Sequence, residues 1–164
     1  KETFRKINVD MTLLSLKYSK NIVAETNKYQ LVITDQKELA GLPQSVIDAA
    51  AADAKAKGKS GSWVFTLANS SVMPFLQYSA NRKLRQEIWN AYQTRANHDD
   101  ETDNKANAIR LANLRGQKAR LLGYASHSNY VLEESMAKTP ENVNKLLNDL
   151  WKPALEKAKV YKLI

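Results

Sequence analysis

Cysteine is absent from the 164 residues. That excludes a disulfide framework, a thiolate metal site and a cysteine nucleophile, while saying little about compartment. Glycine and proline are scarce, five and four, where average usage would give roughly twenty together. The shortage argues against a turn-rich sandwich or barrel and for long helices. No apolar run approaches the roughly 18 residues that cross a bilayer, so no membrane span is expected. Histidine occurs only twice. What is present is ordinary globular material, 43% hydrophobic and 26% charged. Lys and Arg exceed Asp and Glu by 25 to 17, giving +8. That excess favours acidic partners in general, but it is spread along the chain.

The 3.6-residue period dominates. Leu13, Leu14, Leu16, Tyr18, Ile22 and Val23 recur at helical spacing between Asp10 and about Lys28. Gln30–Ile33 reads as a short β-branched connector. Asp35 is placed to cap a helix start, with Glu38 three residues on, and Gly41 ends that turn. Pro43 stands where a first helical residue belongs, ahead of an alanine-rich helix from Gln44 to Lys57 closed by Gly58. The one extended segment is Ser62–Leu67, followed by a turn at Asn69-Ser70-Ser71. The return arm Val72–Leu76 contains Pro74, so it is an edge strand or a new helix start. Helices are expected from Asn81 as N-cap to Arg95, through Ile109–Leu122 to a stop at Gly123, and from Ser126 to about Ser135. A last one opens at Thr139-Pro140-Glu141, with Val143, Leu146, Leu147, Leu150 and Trp151 on one face and a kink at Pro153.

Chemistry is harder to find. His98 and His127 lie on different segments, neither has a metal-sharing partner at i+4, and no H-E-x-x-H occurs. Both read as surface or capping residues. A Cys-His pair is impossible, and no Ser-His-Asp set can be assembled convincingly. Asp99, Asp100, Glu101 and Asp103 could offer oxygens to Ca²⁺ or Mg²⁺, but the glycine and terminal Glu of a calcium loop are missing. Carboxylates are also expected at this place, facing the positive end of the next helix. Arg82, Lys83, Arg85, Arg110, Arg115, Lys118 and Arg120 could form phosphate-binding stripes. Glu87 and the interleaved leucines make solvated helix faces the better reading. Core packing accounts for Trp63, Phe65, Phe75, Tyr78, Trp89 and Tyr92. Taken on chemistry alone, the sequence names no active site.

An ordered set of short motifs is more specific. Glu38-Leu39-Ala40-Gly41-Leu42-Pro43, Trp63–Leu67, Pro74–Ser79 with Asn81-Arg82 and Leu84-Arg85, Ala91-Tyr92 with Thr94-Arg95, and Asp103-Asn104 come first. They are followed by Leu114-Arg115, Lys118-Ala119, Leu121–Tyr124, and Met136-Ala137 with Thr139-Pro140-Glu141. From about Asp10 to Trp151 the chain thereby resembles the N-terminal half of the thimet oligopeptidase family of zinc metallopeptidases. Bacterial peptidyl-dipeptidase is the nearest type and oligopeptidase A the next. The resemblance implies a longer, mostly helical, cytoplasmic parent that uses zinc to hydrolyse short peptides. Its H-E-x-x-H and further Glu ligand belong to a C-terminal half with no counterpart here.

The expectations are then these. The fold class is mainly α, with one short hairpin-like extended element near 62–76. Residues 1–164 form a single helical domain, a fragment of the N-terminal half, walling a substrate channel. No catalytic, cofactor-binding or metal-binding residue is expected in the segment, and neither nucleic acid nor membrane is expected as partner. The Lys1 start, without Met, and a helical pattern still running at Ile164 read as a piece of something longer. The contrasting reading is a free-standing basic helical module that binds nucleic acid or a protein.

Overall fold

In the computed structural model, which describes residues 1–161, the chain is mainly α-helical. Its elements are α1 (Glu2–Lys28), β1 (Leu31–Ile33), a 3-10 turn (Gln36–Leu39), α2 (Gln44–Ala56), β2 (Trp63–Phe65), α3 (Asn69–Tyr78), α4 (Arg82–Gln93), α5 (Lys105–Leu121), α6 (His127–Leu132) and α7 (Pro140–Tyr161). Internal contacts divide the chain into two compact units. A middle unit runs from Leu14 to Ala108. A terminal unit joins Lys1–Leu13 to the stretch from Ile109 onward.

The middle unit is built around β1 and β2, which pair antiparallel with Leu31 opposite Phe65, Val32 opposite Val64 and Ile33 opposite Trp63. The expected extended segment is therefore present, but its partner is β1, not the return arm after residue 71. That arm takes the helical alternative: Asn69-Ser70-Ser71, expected as a turn, forms the first turn of α3. Pro74 lies inside α3 and forfeits only the bond to the Ser70 carbonyl. Val72 and Phe75, three apart on one face, are both fully buried. Around this pair of strands gather Leu31, Ile33, Leu39, Leu42, Ala50, Phe65, Leu67, Val72, Phe75 and Ile88. Phe65 and Phe75 meet with ring centroids 4.6 Å apart.

Local signals fix the ends of the elements. Asp35 accepts the Lys37 N–H at 2.9 Å and starts the 3-10 turn. Asn81 accepts the Leu84 N–H at 3.2 Å and starts α4. Pro43 precedes α2 by one residue, its carbonyl accepting the Val46 and Ile47 N–H groups. Gly41 has a second duty besides its φ of 87°. A Cβ there would stand 2.4 Å from the Tyr78 carbonyl oxygen, so the chain after the 3-10 turn can lie against the end of α3 only as glycine.

In the terminal unit α1 begins at Glu2, earlier than its leucine pattern predicts. Phe4 and Ile7, three apart, extend its apolar side, and Ile7 is buried with Leu111, Leu114 and Ala119. Ser126 accepts the Asn129 N–H and caps α6, which ends at Leu132 rather than near Ser135. Thr139 accepts the Asn142 N–H at the start of α7. α7 continues as one helix through Pro153. The expected running-on of the pattern at 162–164 lies outside the described residues.

Candidate functional site

Two polar assemblies carry the residues whose types could do chemistry. The first lies in the middle unit and centres on Glu25, which is 9% exposed. Its spacing of four residues from the buried Asn21 and three from the half-buried Ile22 puts it on the covered side of α1. One carboxylate oxygen lies 3.0 Å from the Thr102 hydroxyl oxygen, and the other lies 3.5 Å from His98 Nε2. Lys28 stands 3.9 Å away, one turn along. Deeper on the same helix, Asn21 Nδ2 donates to Asn104 Oδ1 at 3.0 Å. Asn107 donates to the same oxygen at 2.9 Å, and Asn104 Nδ2 donates to the Tyr18 carbonyl. Sequence reasoning missed Glu25 and the three asparagines. Their signal was a polar residue recurring on the apolar side of a helix, which requires buried partners.

The acidic run of residues 99–103 serves the backbone. Asp103 accepts the Lys105 N–H at 2.7 Å and the Asp99 N–H at 2.9 Å, and its carboxylate lies 3.0 Å from Lys105 Nζ. These donors hold its pKa down to about 2. Asp100 accepts from the Thr102 hydroxyl and N–H, and the hydroxyl bond lowers its pKa first. Carboxylates facing the start of α5 are what the helix dipole favours.

The second assembly lies in the terminal unit. Lys118 Nζ stands 5.4 Å from the Phe4 ring centroid and 5.8 Å from that of Tyr130. Tyr124 packs edge-on against Tyr130 and donates its hydroxyl to Glu133. His127 leans on Tyr130, and its enclosed Nδ1 has no hydrogen-bond partner among the described residues. Burial pushes the His127 pKa down, and Arg115 and Lys118 push it further, which favours the neutral imidazole. Phe4 also lines, with Arg5, Asn8, Val9, Leu121 and Leu122, an open cleft of about 700 Å³.

Several of the basic residues are engaged inside their own units. Arg85 donates to the Ser79 carbonyl, Arg95 stacks 3.8 Å above the Tyr92 ring, and Arg110 pairs with Asp10 at 3.6 Å. Of the six aromatics read as core, Phe65 and Phe75 are buried, and Trp63 and Tyr92 pack against them. Tyr78 and Trp89 depart from that expectation, at 46% and 49% exposed. α4 turns Leu84, Ile88, Ala91 and Tyr92 inward, and Trp89 falls about 100° away from Ile88.

The profile of Peptidase family M3 matches residues 75–162, more than half of the chain. The chain belongs to peptidase family M3. It is 37% identical to the probable cytosolic oligopeptidase A of Arabidopsis thaliana, over 95% of this chain and 23% of that protein. It is 34% identical to oligopeptidase A of Escherichia coli, over 93% of this chain and 23% of that one. With the dipeptidyl carboxypeptidase of Escherichia coli the identity is 29%, over 96% and 23%. This M3 chain thus spans less than a quarter of the length of these relatives. Identity is higher to the oligopeptidases, whereas the motifs put the peptidyl-dipeptidase type first.

The zinc that the resemblance implies finds no matching donor set among the described residues of this M3 chain. Among the described residues no three His, Asp or Glu side chains gather where they could hold a metal ion. His98 has one carboxylate beside it, and His127 faces the cations Arg115 and Lys118. A catalytic zinc takes three protein ligands and an open position.

Proposed function

We propose that this chain is a non-catalytic helical segment from the N-terminal half of an M3 zinc metallopeptidase acting on short peptides. Both compact units belong to that one segment, and its helices form part of the wall of the channel that admits substrate. The observation that carries the reading is the alignment itself. Over nine-tenths of this chain matches oligopeptidases and dipeptidyl carboxypeptidases, while supplying only 21–23% of their length. Zinc and the residues that activate water belong to the remainder, where zinc supplies a polarised carbonyl and a nucleophilic water. The whole enzyme is proposed to act in the cytosol, as the name of the Arabidopsis relative has it. No described helix is long and apolar enough to cross a membrane.

Metal analysis of the purified 164-residue chain, run beside a fluorogenic peptide assay, tests the reading. The expected result is no stoichiometric zinc and no cleavage. One zinc per chain together with chelator-sensitive cleavage would overturn it.

A further inference from the structure

α6 meets the end of α5 through rings and cations. Its Tyr130 ring lies 5.2 Å from that of Tyr124 and 5.8 Å from Lys118 Nζ. His127, the half-buried first residue of α6, leans on the same ring with centroids 6.3 Å apart. Arg115 and Lys118 stand three apart on α5, so they share a face. Both act on the imidazole from there, and no charged group of α1 or α7 joins them among the described residues. Phe4 of α1 contributes an uncharged ring, 5.4 Å from Lys118. Of the two carboxylates that follow α6, Glu133 accepts the Tyr124 hydroxyl and Glu134 acts on the same tyrosine. His127 Nδ1 is enclosed, and no described residue offers it a hydrogen-bond partner.

We propose that His127 is an acid-sensitive latch: the neutral imidazole seats α6 on α5, and the imidazolium unseats it. A neutral ring can keep its proton on Nε2 and present only a lone pair on the enclosed side. Protonation puts an N–H on Nδ1 where nothing accepts it, and an unpaired buried donor on a charged group is costly. It also sets a third positive charge beside Arg115 and Lys118. Burial first, and the two cations next, hold the folded His127 pKa below its ordinary 6.5. With α6 unseated the imidazole takes its proton at the higher pH. The seat is therefore at full strength above about pH 6.5 and weakens as pH falls below it. His98 has the opposite surroundings, a Glu25 carboxylate 3.5 Å from its Nε2, and serves as the comparison.

Amide hydrogen exchange and an NMR titration of the two histidine rings, both on the 164-residue chain, test the latch. The amides of Asn129 and Tyr130, bonded to the Ser126 hydroxyl and carbonyl, report on α6. Corrected for intrinsic exchange, their protection is expected to fall about fivefold or more between about pH 7.5 and 5. Protection of the Leu84 amide, at the start of α4, is expected to change less than about twofold. His127→Gln keeps a polar side chain without the charge and is expected to abolish the fall, whereas His98→Gln is expected to keep it. Arg115→Gln is expected to raise the midpoint of the His127 titration toward 6.5 and to shrink the fall, a change that loss of packing alone would not produce. Circular dichroism at pH 7.5 checks the folding of each variant. If His127→Gln unfolds, the Arg115→Gln titration decides by itself. Protection at Asn129 and Tyr130 that holds down to pH 5, or a fall that survives His127→Gln, overturns the latch. A His127 ring that titrates at or above 6.5, or is unmoved by Arg115→Gln, overturns it as well.

Discussion

The middle and terminal units use similar helices and reach opposite outcomes in burial. In the middle unit the large apolar side chains of β1, β2, α3 and α4 converge, and Ile33, Val64, Phe65, Val72, Phe75 and Ile88 are almost wholly out of water. In the terminal unit the buried apolar side chains among the described residues are Ile7, Leu111, Leu114 and Ala119, the first three still 6–9% exposed, while α7 keeps Leu146, Leu147, Leu150 and Trp151 in water. Amphipathic spacing is the same signal in both. It states which side of a helix is apolar and leaves open whether a partner covers it.

Substitutions should separate the units by size of effect. Phe75→Ala, in the middle unit, is expected to cost about 4 kcal/mol in urea unfolding. A loss under about 1 kcal/mol would mean that the packing around the two strands is looser than its burial indicates. Gly41→Ala should cost roughly 3 kcal/mol, combining a left-handed backbone with overlap on the Tyr78 carbonyl. Gly58→Ala, with φ 70° and open space around it, should cost nearer 1 kcal/mol and serves as the comparison. Asn104→Ala is expected to cost about 2 kcal/mol, because the Asn21 and Asn107 amides lose their shared acceptor inside the unit.

Acid should reach the middle unit through Asp103. Its folded pKa of about 2 lies below the ordinary value of 3.8, so the folded state favours the ionised form. The stability this provides is complete above pH 4 and is lost as pH falls from about 4 to 2. Asp103→Asn is expected to flatten that part of the stability profile in equilibrium unfolding at fixed ionic strength. An unchanged slope would remove Asp103 from the account. The smallest effect is expected in the terminal unit: Leu147→Ala should alter the stability of the isolated chain by no more than about 0.5 kcal/mol. A loss like that of Phe75→Ala would erase the contrast between the units.

Much of the fold was legible because its punctuation is local. Asp35, Asn81 and Ser126 each cap the helix they precede, and Gly41, Gly58 and Gly123 adopt the positive φ that ends one. The pairing of Leu31–Ile33 with Trp63–Phe65 was not legible. Three residues offer too short an alternation to register as a strand, and the partner lies about thirty residues away. Pro74 pointed away from a helix interior, yet the burial of Val72 and Phe75 outweighs the one hydrogen bond that proline forgoes. The family was legible in the order of short motifs, but no site could be: His98 and His127 belong to different units, and each is absorbed by its own surroundings. Glu25 was visible as a residue but not as a hub, since Thr102 and His98 approach it from more than seventy positions away.

The terminal unit is assembled from the two ends of the sequence, and that imposes an order in time. Phe4 and Asp10 leave the ribosome early, but Lys118 and Arg110, which meet them, are made about a hundred residues later. The middle unit is contiguous and can close as soon as Ala108 has emerged. At 5–20 residues per second, the 56 residues from Ile109 to Ile164 occupy the ribosome for roughly another 3–11 s. Through that interval the first turns of α1 hold Phe4 and Ile7 in water, waiting for chain that has yet to be translated.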